Sequence, residues 1–233
     1  MWYLTAPIRS RLSEAPARGP GPATRGVAAV FGLAARLRAR PALHPRGTVV
    51  RAVVRRDGLA EPIGVPWIDR PGHDDALVRL SRAAGLPRPF PDVLGLAVRV
   101  DPDGDAADLL LSTTGRAPVA RHVLWPRYDP RAATYTSVLP YRAPAGLVLL
   151  AAFPAAARAA RPAFHLAVAA PAGRWRRFAR LELAGTGHGD ADLGFDPVRR
   201  PLPGLRLPEP LASLRAASYR ASREGRLRSS GRA

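Results

Sequence analysis

From residue 48 to residue 183 the chain is a succession of short apolar runs, several alternating with polar residues and most bounded by Gly, Pro or Asp. Alternation with a period of two places one face of an extended strand against a core and leaves the other outside. The runs fall at residues 48–55, the region of 63–67, 76–80, 94–100, 108–113, 147–153, 164–169 and 175–183. Arg56-Asp57-Gly58 and Asp103-Gly104 are turn signals, and the second has hairpin spacing between two runs. The 233 residues suit one domain, and 47% apolar residues suffice for its core. About eight strands with few helices between them predict an antiparallel barrel or sandwich, not an α/β sheet.

Helices are expected mainly at the ends. Residues 1–25, rich in Pro, Gly and Arg, read as a flexible segment, and 26–37 as a first helix with one apolar side. A short Ala-rich helix is expected at 154–160. A terminal helix is expected at 209–223, entered after the Pro-rich stretch 197–210. The folded domain is thus expected over 26–228, mainly β with flanking helices (α+β), and 229–233 as a disordered tail.

Composition narrows the function classes. Without cysteine there are no disulfides, thiolate metal sites or cysteine nucleophiles. The net charge of +18 would suit nucleic acid. However, no lysine is present, and the 36 basic residues, all arginine, are spread along the whole chain instead of gathering in one stripe. No specific nucleic-acid partner is expected. No run approaches the ~20 apolar residues of a membrane span, and the N-terminus lacks a secretory pattern, so a cytoplasmic location is expected.

Three separated segments carry the candidate chemistry. If 209–223 is helical, Arg215 and Tyr219 are one turn apart and share a face. A guanidinium beside a phenol favours the phenolate, a hard anionic ligand for ferric iron. Phe195-Asp196-Pro197 and Pro203-Gly204-Leu205 precede this pair, and Arg226 follows it. Near the other end, Leu43-His44-Pro45-Arg46-Gly47 sets a histidine just before a strand. Between them lie Val78-Arg79-Leu80-Ser81, then 92–98 (DVLGLAV) and 107–114 (ADLLLSTT).

In order and near-spacing these segments resemble the haem catalases, so the chain is identified as a short member of the haem catalase-like superfamily. The resemblance runs from about residue 40 to 226. It implies an eight-stranded antiparallel β-barrel with a C-terminal haem-ligand helix, and haem b bound across the barrel mouth and that helix. Tyr219 would be the iron ligand, and Arg215 would keep it ionised. Arg226 and Arg79 would meet haem carboxylates. Arg40 stands one step from the family's further carboxylate-binding arginine, whose own position is Pro41 here. His44 would be the acid/base facing the iron, with Ser81 holding its ring. Ser112 and Thr113 stand where the family has its asparagine pair, so Thr113 is a candidate hydroxyl donor to peroxide.

The function implied is a haem-dependent peroxidase or hydroperoxide-metabolising oxidoreductase, with weak catalase activity, acting on hydrogen peroxide or an organic hydroperoxide. A homo-oligomer is left open. The missing asparagine and the short chain also suit a catalytically degenerate haem-binding protein of the same fold. A further alternative, a metal-dependent phosphodiesterase, rests on His73-Asp74-Asp75, although His122, His165 and His188 add no recognisable ligand spacing.

Overall fold

Strand formation follows the alternating runs. A computed structural model describes residues 46–83, 85–87, 89–101, 103–155, 162–189 and 193–208. Nine strands succeed one another: β1 (Arg46–Arg56), β2 (Gly72–Arg82), β3 (Leu94–Val100), β4 (Ala107–Thr113) and β5 (Tyr135–Thr136). Then come β6 (Tyr141–Ala143), β7 (Gly146–Pro154), β8 (Ala163–Ala169) and β9 (Arg176–Gly189). Every pairing is antiparallel. The order β5-β4-β3-β2-β1-β9-β8-β7 returns to β5 through its second pairing with β7, so eight strands close into a barrel. β6 is a ninth strand, paired with β7 and bridged through Arg142 to Arg206.

Closure rests on two residues. Tyr135 pairs with Thr113 on one side and Ala152 on the other, and Thr136 with Ser112 and Ala151. The Thr136 hydroxyl donates to the Arg121 carbonyl (2.7 Å), accepts the Val138 backbone N–H (3.2 Å) and lies 3.0 Å from the Thr114 hydroxyl. The Tyr135 ring stands edge-on to Phe164 at 5.8 Å, and its hydroxyl donates to the Pro130 carbonyl at 2.7 Å.

Strand alternation fills the barrel. Val50, Ala52 and Val54 of β1 meet Ala76 and Val78 of β2, Leu94, Leu96 and Val98 of β3, and Leu109 and Leu111 of β4 in one core. One end of the barrel is capped by the short helix α1 (Pro66–Asp69) and the loop before it. The Asp69 carboxylate accepts the N–H groups of Ile63 (2.9 Å) and Val65 (2.8 Å), which holds Ile63, Val65 and Ile68 in the core beside Leu202 and Leu205. Gly204, at φ +88°, lets its backbone pass Val65.

The expected strand near 63–67 is therefore corrected to a loop and a helical turn. Gly64 takes a left-handed φ of +82°, and Pro66 begins α1. The other seven runs are strands, and β3 and β4 join through the Asp103-Gly104 hairpin. β5 and β6 were not expected. Pro154 is the last residue of β7, and 156–160 lie outside the described residues, as do the helices expected at 26–37 and 209–223.

Beyond β9 the chain crosses the outer face of β3 and β4. Arg99 and Asp108 form a buried two-bond ion pair (2.8 and 2.9 Å). Arg99 also donates to the Gly194 carbonyl (2.7 Å) and lies over the Phe195 ring at 4.8 Å. Asp108 accepts the Asp196 backbone N–H at 2.7 Å. The Phe195-Asp196-Pro197 segment and the strand segment at 107–114 are thus joined by one charged clamp.

Two stability effects follow. Thr136→Val removes the hydroxyl that ties β5 to its loop, and should cost about 1–3 kcal/mol in urea unfolding; an unchanged midpoint would contradict the closure account. Asp108→Ala strands a buried guanidinium and frees the 194–200 segment, so a loss of about 3–5 kcal/mol is expected. A loss below about 1 kcal/mol, the usual worth of an exposed pair, would show that the clamp is not buried in solution.

Candidate functional site on the outer wall of the barrel

Antiparallel register sets side chains from neighbouring strands in rows across the sheet. One row runs Gly47, Ser81, Gly95, Ser112 and Thr136 across β1 to β5. The next runs Val49, Arg79, Ala97 and Leu110. Both rows have the opposite parity to Val50, Val78, Leu96 and Leu111, which point into the core, so both face outward. An outward barrel face is ordinarily wet. Here Ser81 is 8% exposed, Val49 8%, Ala97 9% and Ser112 4%, so this wall is a packing surface.

The wall is built from small residues. Two glycines, an alanine and two serines, with Val49, Leu110 and Thr136 beside them, give a wall of mostly short side chains with one guanidinium on it. A Cβ placed on Gly47 would sit 2.8 Å from both Cζ and Nε of Arg79, so the guanidinium lies across Gly47. This gives the glycine of Leu43-His44-Pro45-Arg46-Gly47 a physical reason: a larger residue would push Arg79 aside.

Of the expected site residues, the structure brings Arg79 and Ser81 together on this wall, two positions apart on β2. Thr113 does not join them. Its side chain has the inward parity of Leu109 and Leu111, it is fully buried, and its hydroxyl accepts the Leu94 backbone N–H at 3.0 Å. Ser112, the other residue at the asparagine-pair position, is the one on the wall. Strand parity in 107–113 separates the two, a signal that reading them as a pair passes over. His44, Arg40, Arg215, Tyr219 and Arg226 lie outside the described residues.

The described candidate residues lie on the outer wall next to the barrel mouth. Arg79 and Ser81 face outward, while Ser81 and Gly47 reach the rim of the open end, where a cavity of about 830 Å³ begins. The described wall fits a flat macrocycle: small residues permit close approach of a plane, and Arg79 suits a peripheral carboxylate. The anion of Tyr135 is disfavoured. Burial, and then the Asp129 carboxylate, push its phenol well above the usual tyrosine range. An anionic tyrosine needs a cationic neighbour, as Arg215 would be for Tyr219.

The His73-Asp74-Asp75 segment gathers no metal site. Asp74 is paired with Arg56 (2.7 and 3.2 Å), and His73 and Asp75 are exposed. Among the described residues no three His, Asp or Glu side chains are placed to hold a metal ion. Nor is any described helix long and apolar enough to cross a membrane.

No protein-family model matches the sequence, and no curated protein matches it. Solved structures do. A fungal catalase aligns with a TM-score of 0.55 at 13% identity, over 90% of this chain and 65% of that one. A bacterial catalase aligns with a TM-score of 0.59 at 14% identity, over 95% of this chain and 64% of that one. The chain thus spans just under two thirds of the length of these catalases. With eight antiparallel strands closed into a ring and this likeness over nearly its whole length, the chain has the catalase-like fold.

Proposed function

We propose that this chain binds haem b on the outer wall formed by β1 to β4 and works as a haem-dependent peroxidase on hydrogen peroxide or organic hydroperoxides, with weak catalase activity. The observation that carries the reading is the wall itself. Arg79 and Ser81, which the resemblance reads as a carboxylate partner and a hydroxyl, share an outward face with half-buried Gly47 and with buried Gly95, Ala97 and Ser112, and this supports the reading. The catalase-like fold supports the same reading.

Each residue then has a task. Tyr219 supplies an anionic oxygen to the iron, and Arg215, one helical turn away, stabilises that anion. Arg79, Arg226 and Arg40 meet the carboxylates of the macrocycle through charge-assisted hydrogen bonds. His44 takes a proton from one peroxide oxygen and returns it to the other, with Ser81 fixing which ring nitrogen is free. Bound haem supplies the redox chemistry that side chains lack. Ser112 offers a hydroxyl where an asparagine amide would offer a longer-reaching N–H donor. That difference favours a second reading, in which the same wall holds haem without turnover.

Reconstitution of the full-length chain with hemin tests this. Tyr219→Phe should lose haem on gel filtration. His44→Ala should keep haem while its rate with hydroperoxides falls by about 10²–10⁴, the usual worth of a positioned acid/base. Unchanged haem retention in Tyr219→Phe would sink the ligand assignment. A wild-type chain that holds haem but is inert to hydrogen peroxide and alkyl hydroperoxides would decide for the second reading.

A further inference from the structure

The two ends of the barrel differ. Ile63, Val65, Ile68, Leu202 and Leu205 close one, all of them buried in the core. At the other end, where β1 begins and β2 and β9 finish, the barrel opens into the cavity of about 830 Å³. That volume lies within the range of about 300–1,000 Å³ typical of small-molecule sites, for which barrel mouths are a recurrent place.

The chemistry of the cavity is graded from inside to outside. Its inner wall is apolar, made by Val50, Leu80 and Leu183. Its rim carries two exposed aromatics, Phe90 (58% exposed) and Tyr128 (67%), that leave large apolar area in water beside the opening. Three charged side chains join the lining: Arg82, Asp129 and Arg131. Arg82 is committed, donating to the carbonyls of Leu86 (3.0 Å) and Phe90 and lying 3.8 Å from Asp92. Asp129 accepts the backbone N–H of Arg131 at 2.8 Å. The Arg131 side chain is exposed, and among the described residues it has no ion-pair partner. An apolar cavity with an uncommitted guanidinium at its lip is complementary to one kind of molecule.

We propose that the barrel mouth binds an amphipathic monocarboxylate, with its hydrocarbon part against Val50, Leu80 and Leu183 and its carboxylate at Arg131. The site adjoins the outer wall at Gly47 and Ser81, but its hydrocarbon and carboxylate contacts use none of the residues assigned to haem, so its test reads binding to the full-length chain without turnover. Decanoate is the probe and 1-decanol its uncharged counterpart, titrated calorimetrically at about 0.15 M salt to screen diffuse attraction to a cationic protein. Wild type should bind decanoate saturably with one site per chain. Thr48→Trp, an exposed strand position in the lining that accepts an aromatic residue, should fill the cavity and abolish binding. Arg131→Gln should weaken decanoate about tenfold or more, as loss of a charge-assisted hydrogen bond does, and leave decanol unchanged.

Three results would overturn the proposal. One is absence of saturable decanoate binding to wild type, whether the mouth is filled by the chain's own sequence or by a second copy. Another is binding that neither variant alters, which would locate it elsewhere. The third is decanol binding as tightly as decanoate, which would remove the carboxylate from the recognition.

Discussion

An antiparallel sheet of eight strands has two raw edges, each a row of unpaired N–H and C=O groups, unless its first and last strands meet. In this chain they meet through Tyr135 and Thr136, which pair with β4 on one side and β7 on the other. Two residues of ladder are a short seam. The seam is reinforced from within by the Tyr135 ring against Phe164, and from without by the Thr136 hydroxyl, which ties β5 to Arg121 and Val138. Closure then fixes the sidedness of every strand. A residue's parity decides whether it fills the barrel or forms its outer wall, and a slip by one position would exchange the two faces.

That sidedness connects fold to site. With Val50, Val78, Leu96 and Leu111 committed to the interior, Gly47, Ser81, Gly95 and Ser112 are necessarily outside, side by side on four consecutive strands. Their side chains are short or absent, and Arg79 lies across Gly47 because that residue has no side chain. Towards the capped end the same outer surface is held by the Arg99–Asp108 pair, which anchors Phe195 and Asp196. Residues 88 and 95 positions apart are joined on one face by these hydrogen bonds.

The long strands were legible because a half-buried strand must alternate, and seven of the expected runs are strands. β5 was not legible, since two residues carry no period. The 63–67 region misled for a definite reason: Ile63, Val65 and Trp67 alternate as a strand would, but Pro66 starts a helical turn and Asp69 satisfies the backbone N–H groups before it. Arg79 and Ser81, singled out by their motif, share the outward face of β2 because they are two positions apart on one strand. Thr113 and Ser112, adjacent in the sequence, face opposite sides of β4, and the hydroxyl of Thr113 accepts the Leu94 N–H. The reading of His44 and Tyr219 rests on motif order alone, as both lie outside the described residues.

A catalase-like barrel at 13–14% identity fixes an architecture, and an architecture can host more than one chemistry. The central claim is that the outer wall of this barrel is a haem surface. The most direct measurement is the absorption spectrum of the full-length wild-type chain titrated with hemin. The account predicts a Soret band that saturates at one haem per chain, with the high-spin ferric features of tyrosinate ligation. A chain that takes up no hemin, or binds it without saturation and without those features, would contradict it and leave the wall as a packing surface alone.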